Sequence, residues 1–196
     1  MWLERISGET AELITRDDAK AHLRLLEDDF DAEVSAAIAS AVAFLDVDDD
    51  GFGGLGFPLT RQVWAVKAPR FSDDVLRLPF GRVTSVEKVG FISPDGASET
   101  VPSSDYRLTR QGRASVVALL SGKSWPAVAD APDAVSIHFA AGFADAASVP
   151  ADIKAALRLL IGHFFENRLA VVMSGVPQDL KIGVDALTAR YRRFAA

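Results

Sequence analysis

Three aspartates at alternate positions, followed by glycine, are how a calcium loop opens. Asp46, Asp48 and Asp50 stand at the first, third and fifth places of such a loop, and Gly51 stands at the sixth, where the chain must turn sharply. The pattern then fails at its strongest ligand. The twelfth place needs a bidentate glutamate and holds Phe57, the eighth holds Gly53, and no second loop follows. The ordinary reading of the stretch DVDDDGFGGLGF is a helix end entering a glycine-rich acidic loop, where glycine permits positive φ and the acids are solvated. Two expectations therefore stand for Asp46–Gly51. One is a mobile acidic connection; the other is a small calcium-responsive binding module.

The remaining residues of chemical interest are scattered. His163 and Glu166 lie three apart in GHFFENR, on one face of a predicted helix, which is half of a bundle metal site. No partner set of carboxylates is recognisable, and polar contacts with Asn167 and Arg168 near a helix end account for the pair. His22 and His138 stand alone. No serine occupies a Gly-x-Ser-x-Gly elbow. The glycines of GFGGLG precede a strand instead of opening a helix, unlike those of a nucleotide-binding loop. With no cysteine, disulfides, thiolate metal sites and a cysteine nucleophile are excluded. We expect no enzyme activity and no cofactor.

Charge is unevenly placed. The chain carries a formal net charge of -6, a poor balance for gripping the outside of nucleic acid. Yet its C-terminal stretch is basic, with Lys181, Arg190, Arg192 and Arg193. Cations near a helix C-terminus are favourable in themselves. The alternative is a docking arm behind a hinge at Ser174-Gly175, presenting Leu187, Tyr191, Arg192, Arg193 and Phe194 to a partner.

The elements that must hold these residues alternate in type. Thr15-Arg16-Asp17-Asp18 reads as a helix cap, followed by a helix to Leu26 with Ala19, Leu23 and Leu26 inward. The acids Glu27, Asp28 and Asp29 start a second helix, whose Phe30, Val34, Ile38, Ala41, Val42 and Leu45 recur at helical steps. Short β-type runs follow at Arg61–Lys67, Val75–Leu78, Thr84–Ile92, Tyr106–Thr109, Ser115–Leu119 and Ala134–Ala140, with a tight turn at Ser93–Gly96. A helix starting at Pro150 carries Ile153, Leu157, Leu160, Ile161, Phe164 and Phe165, and a last one runs from Val184 to Phe194. The predicted fold is α+β, a single domain over 1–196. An antiparallel helical bundle from the N- and C-terminal helices (15–46 and 150–194) carries a β-rich segment, 57–143, inserted between them. The opening residues lack an apolar signal core, and no stretch approaches the ~20 apolar residues of a membrane span, so we expect an unexported, soluble protein.

Ile14–Arg24 (ITRDDAKAHLR) resembles the opening of tailed-phage head–tail connector proteins, or adaptors, which also occur in gene transfer agents. The resemblance continues in order through Leu59–Trp64, Leu78-Pro79, Val83–Val86, Ser104–Arg107, Trp125-Pro126, Phe139–Phe143, Val149-Pro150 and Gly162–Arg168. The DVDDDGFGG expansion departs from the tighter join usual in that family. The resemblance implies a non-enzymatic subunit of a ring of about a dozen copies under the portal. Such a ring extends the DNA channel, lets DNA pass without specific binding, and carries the next, stopper-type neck protein. It also implies that the C-terminal segment, Val176–Ala196, engages the portal, and that the protein moves from the host cytoplasm during assembly to the particle neck.

Overall fold

The computed structural model describes residues 2–8, 12–26, 28–72, 75–167 and 177–192. It is a mixed α and β structure that divides into two compact units.

The β unit holds β1 (Trp2–Gly8), the short stretch Asp49–Gly51, and Arg61–Gly142. Within the last of these lie β2 (Gln62–Ala68), β3 (Val75–Arg77), β4 (Val83–Ile92), β5 (Ser98–Thr100), β6 (Tyr106–Gln111), β7 (Ala114–Leu119) and β8 (Val135–Ala141). The predicted strands are all present, displaced at their ends by a residue or two. Five strands form one antiparallel sheet in the order β1-β2-β8-β4-β5, and three form another in the order β3-β7-β6.

The buried faces follow the two-residue period of a strand. Trp64 and Val66 of β2, Val135, Ile137 and Phe139 of β8, and Val89 and Phe91 of β4 are buried. Trp64 and Phe139 each meet the ring of Phe80 edge-on, at 5.2 and 6.0 Å between centroids. Each such aromatic pair contributes about 0.5–1.5 kcal/mol beyond the area it buries. The turn at Ser93–Gly96 is closed by the Gly96 amide donating to the Ser93 carbonyl at 2.8 Å, which reverses β4 into β5. Neither β1 nor β5 was predicted from the sequence.

The helical unit contains α1 (Arg16–Leu23), α2 (Asp31–Leu45), the connector Phe52–Thr60, a 3-10 turn at Ala146–Ser148, α3 (Ala151–Glu166) and α4 (Gln178–Thr188). Thr15 caps α1: its Oγ1 accepts from the Asp18 amide at 3.0 Å. The helix stops earlier than the spacing predicts, because Arg24 takes a left-handed conformation (φ 59). Leu26 then falls outside the helical register and is 97% exposed, not inward as expected; Leu23 is half-buried and Ala19 alone is fully covered on this helix.

The inner face of α2 is Val34, Ala37, Ala41 and Leu45. Phe30, Ile38 and Val42, expected on that face, lie at its margin. Phe30 and Phe44 are still used, since they meet Phe165 and Phe164 of α3 edge-on at 6.0 and 6.5 Å. Adjacent residues in the last turn of α3 thus serve both ends of α2. Ile153, Ala156, Leu157, Leu160 and Ile161 of α3 are buried. At about 2 kcal/mol for each large side chain, this row is a principal source of the unit's stability. The last helix begins at Gln178 with Pro177 as its N-cap, six residues before the predicted start at Val184. The predicted hinge at Ser174-Gly175, and Arg168, lie outside the described residues.

Candidate functional site

Two of the aspartates with calcium-loop spacing, Asp46 and Asp48, act on the backbone. Asp46 is the C-cap of α2, and its Oδ1 accepts from two amides, those of Val47 and Leu59, both at 2.9 Å. Asp48 Oδ1 accepts from the Phe52 amide at 2.8 Å, and the Asp48 amide donates to the Phe52 carbonyl, also at 2.8 Å. The Leu55 amide returns to the Leu45 carbonyl at 3.0 Å. The connector is tied down at each of these points, so the acids serve as acceptors for a turn that would otherwise leave amides unpaired. Gly54 explains the glycines: at φ +47, a Cβ there would lie 2.2 Å from the Asp46 carbonyl oxygen. Only glycine admits that approach. In the β unit, Asp49 pairs with Arg5. Among the described residues no three acids or histidines gather as metal ligands.

Among the described residues, His163 and Glu166 are not brought together with further acids as a metal-ligand set. Asn167 donates to the His163 carbonyl at 3.0 Å and lies 3.1 Å from its Nδ1, which is the helix-end polar contact expected from the spacing. His138 sits half-buried on β8, opposite Ala65 of β2 and Lys88 of β4. Burial first, then the positive charges of Lys88 and Lys67, pushes its pKa below the ordinary histidine value, with Glu4 opposing. No hydrogen bond to a nucleophile or carboxylate is seen at the imidazole among the described residues.

The basic C-terminal residues are partly engaged within the helical unit. Arg190 reaches Asp152 of α3 at 3.0 Å, and the Tyr191 hydroxyl donates to the same Oδ2 at 3.4 Å. The Arg190 guanidinium also stands 5.7 Å from the Tyr191 ring. Arg192 pairs with Asp185, seven residues back along the chain. Val184 and Thr188 are buried, and Leu187, Tyr191 and Arg192 are half-buried. Arg193 and Phe194 lie outside the described residues.

Nothing in this inventory forms a catalytic constellation among the described residues. A shallow groove of about 600 Å³ runs along Glu12, Ile14, Thr15, Arg16, Asp17, Ser35 and Ile38. No described helix is long and apolar enough to cross a membrane.

The class that these elements define is a mixed α and β fold with two antiparallel sheets. No family model matches the chain, and no curated protein matches it. Solved structures do. The chain is similar over its full length to a chain in the neck of an empty gene transfer agent particle computed with C6 symmetry (TM-score 0.76, 21% identity, 97% of that chain covered). It is also similar to a chain in the neck of a native particle computed with C12 symmetry (TM-score 0.68, 20% identity, 100% and 97% of the two chains covered). A third likeness is to a chain in the virion of a native gene transfer agent, at the same TM-score and 21% identity. At these identities what is shared is the fold.

Proposed function

We propose that this chain is a structural neck component of a phage-like or gene transfer agent particle, and within it a head–tail connector subunit. In this reading about a dozen copies form a ring under the portal, extend the DNA channel, and present a platform to the next neck protein. The whole chain, 1–196, works as one connector domain, with N- and C-terminal helices as an antiparallel bundle. It performs no chemistry. It is assembled in the host cytoplasm and resides in the neck of the particle.

The observation that carries the reading is the full-length likeness to a chain of a particle neck, at a TM-score of 0.76. It is supported by the ordered run of short motifs shared with connectors. The rotational symmetry used for those necks suits a ring of chains with this fold.

The portal contact in this reading is the C-terminal segment, through Leu187, Tyr191, Arg192, Arg193 and Phe194. Engaging the portal would exchange the contacts of Arg190 and Tyr191 with Asp152 for contacts with the partner. Surface ion pairs of this kind are worth about 0–1 kcal/mol, so the exchange is not strongly opposed.

The test is light scattering with negative-stain imaging, on the protein alone and with the portal protein encoded beside it. A ring, or a complex near one subunit per portal subunit that is lost on deleting 176–196, is the expected result. A chain that stays monomeric and ignores the portal overturns the proposal.

A further inference from the structure

The three-stranded sheet of the β unit carries arginines and no acid. Arg77 lies in β3, Arg107 and Arg110 in β6, and Arg113 in the turn between β6 and β7. Neither the three strands nor that turn contains Asp or Glu. Residues directly opposite one another project to the same face, and so do residues two apart along a strand. Arg77 is opposite Val116, which is opposite Thr109; Val75 is opposite Ala118, which is opposite Arg107. Arg77 and Arg107 therefore share one face, on either side of β7. Leu76, Val117 and Tyr106 take the other face and are buried, and Arg110, four residues on from Tyr106 in β6, belongs to that other face, so the shared face is that of Arg77 and Arg107. All four arginines are exposed, and Arg77, Arg107 and Arg110 have no carboxylate partner among the described residues.

The negative charge of the chain is concentrated elsewhere. Between Arg16 and Glu33 there are three bases (Arg16, Lys20, Arg24) and seven acids (Asp17, Asp18, Glu27, Asp28, Asp29, Asp31, Glu33), so 3 − 7 = −4 of the chain's -6 falls there. Lys20 binds Asp28 and Asp31, and Arg16 binds Asp31. Asp17, Asp18 and Asp29 are exposed and have no ion pair among the described residues.

We propose that the arginine-bearing sheet of one copy docks on the acid-rich α1–α2 segment of a second copy, head to tail. The inference rests on the ring reading above. A ring needs a heterologous contact, joining two different surfaces of the same chain. These two surfaces are opposite in charge, and guanidinium forks match carboxylates in paired hydrogen bonds. Complementary charge across such a contact sets partner choice and register. Nucleic acid is the other polyanion that arginines fit, but a chain of net charge -6 repels a duplex at long range, whereas its own acids are always at hand.

The test uses two full-length variants, Arg77→Glu/Arg107→Glu and Asp17→Arg/Asp29→Arg, each first shown by circular dichroism to be folded. Ring assembly is followed by light scattering at low and high salt, with portal present. We expect each variant alone to assemble at least about tenfold more weakly than wild type. A one-to-one mixture should assemble again, because every contact in an alternating ring then joins opposite charges. Should either variant assemble like wild type, or the mixture fail to recover, the contact is wrong while the ring stands. If the arginine variant keeps its ring but loses salt-sensitive retention of duplex DNA, the sheet serves nucleic acid and the proposal is overturned. A wild-type chain that forms no ring with portal brings down the ring reading first, and this contact with it.

Discussion

One oxygen of Asp46 holds the amides of both Val47 and Leu59, each at 2.9 Å, so a single carboxylate closes α2 and anchors the chain thirteen residues later. Leu59 is fully buried, and without Asp46 its amide has no water to turn to. Asp46→Ala should lower unfolding free energy by about 1–3 kcal/mol in chemical denaturation. Asp46→Asn, which keeps an acceptor oxygen, should recover most of it. Calcium should leave the melting temperature of wild type unchanged; a rise with calcium that magnesium does not reproduce, abolished by alanine at Asp46, Asp48 and Asp50, would reinstate the calcium module.

Two glycines of the same connector should respond differently to alanine. At Gly53 (φ +82) nothing lies within 4 Å of an added Cβ, so only the strained backbone counts, at about 1 kcal/mol. At Gly54 the Cβ would meet two backbone carbonyl oxygens at 2.2 and 2.3 Å, and backbone cannot step aside as a flexible side chain would. Gly54→Ala should therefore be several-fold more destabilising than Gly53→Ala in paired thermal melts. Equal effects would show that this approach is not what demands glycine.

His138 has a depressed pKa in the folded chain, caused mainly by burial and then by Lys88 and Lys67. The unfolded chain therefore binds its proton at higher pH than the folded one does. Its contribution is fully present above the ordinary histidine pKa of about 6.5 and is lost as pH falls below it toward the folded value. Unfolding free energy should dip on acidification through that window, and His138→Gln should flatten the dip. A profile unaltered by the substitution would assign the dip to other groups.

The docking of α4 should depend on its buried residue more than on its charges. Val184 is fully buried, whereas the Arg190 side chain is 72% exposed. Val184→Ala should cost about 2 kcal/mol, and Asp152→Ala well under 1 kcal/mol. Limited proteolysis at the C-terminal helix reads the difference: cleavage should accelerate strongly in the first variant and little in the second.

What could be read from the sequence follows from where each element draws its stability. The strands β2, β4, β7 and β8 bury regular rows, and their apolar spacing is written locally. Strand β1 is exposed at nearly every residue, so no apolar period marks it; pairing with β2 alone makes it a strand. Leu26 has the right spacing for an inward position, but Arg24 ends the helix first. The Asp46 stretch reads equally well as ion ligands or amide acceptors, because the difference lies in which amides fold back toward it. The arginine sheet was not singled out at all. Arg77 and Arg107 lie on separate strands, and only the register of β3, β7 and β6 brings them to one face.

Strand order also bears on how the chain is made. In the five-stranded sheet β8 lies between β2 and β4, although it is the last of the five to be synthesised. β2 and β4 must therefore leave the ribosome with the edges that face β8 unpaired. They wait until residue 141 has emerged, which at about 5–20 residues per second is a matter of seconds. A sheet closed by its final strand is all-or-none and slow to form, with apolar edges open meanwhile to any neighbouring chain. Where many copies are made at once, folding on the polysome competes with premature cross-pairing. The amount of usable protein then depends on chaperone capacity and temperature as well as on expression.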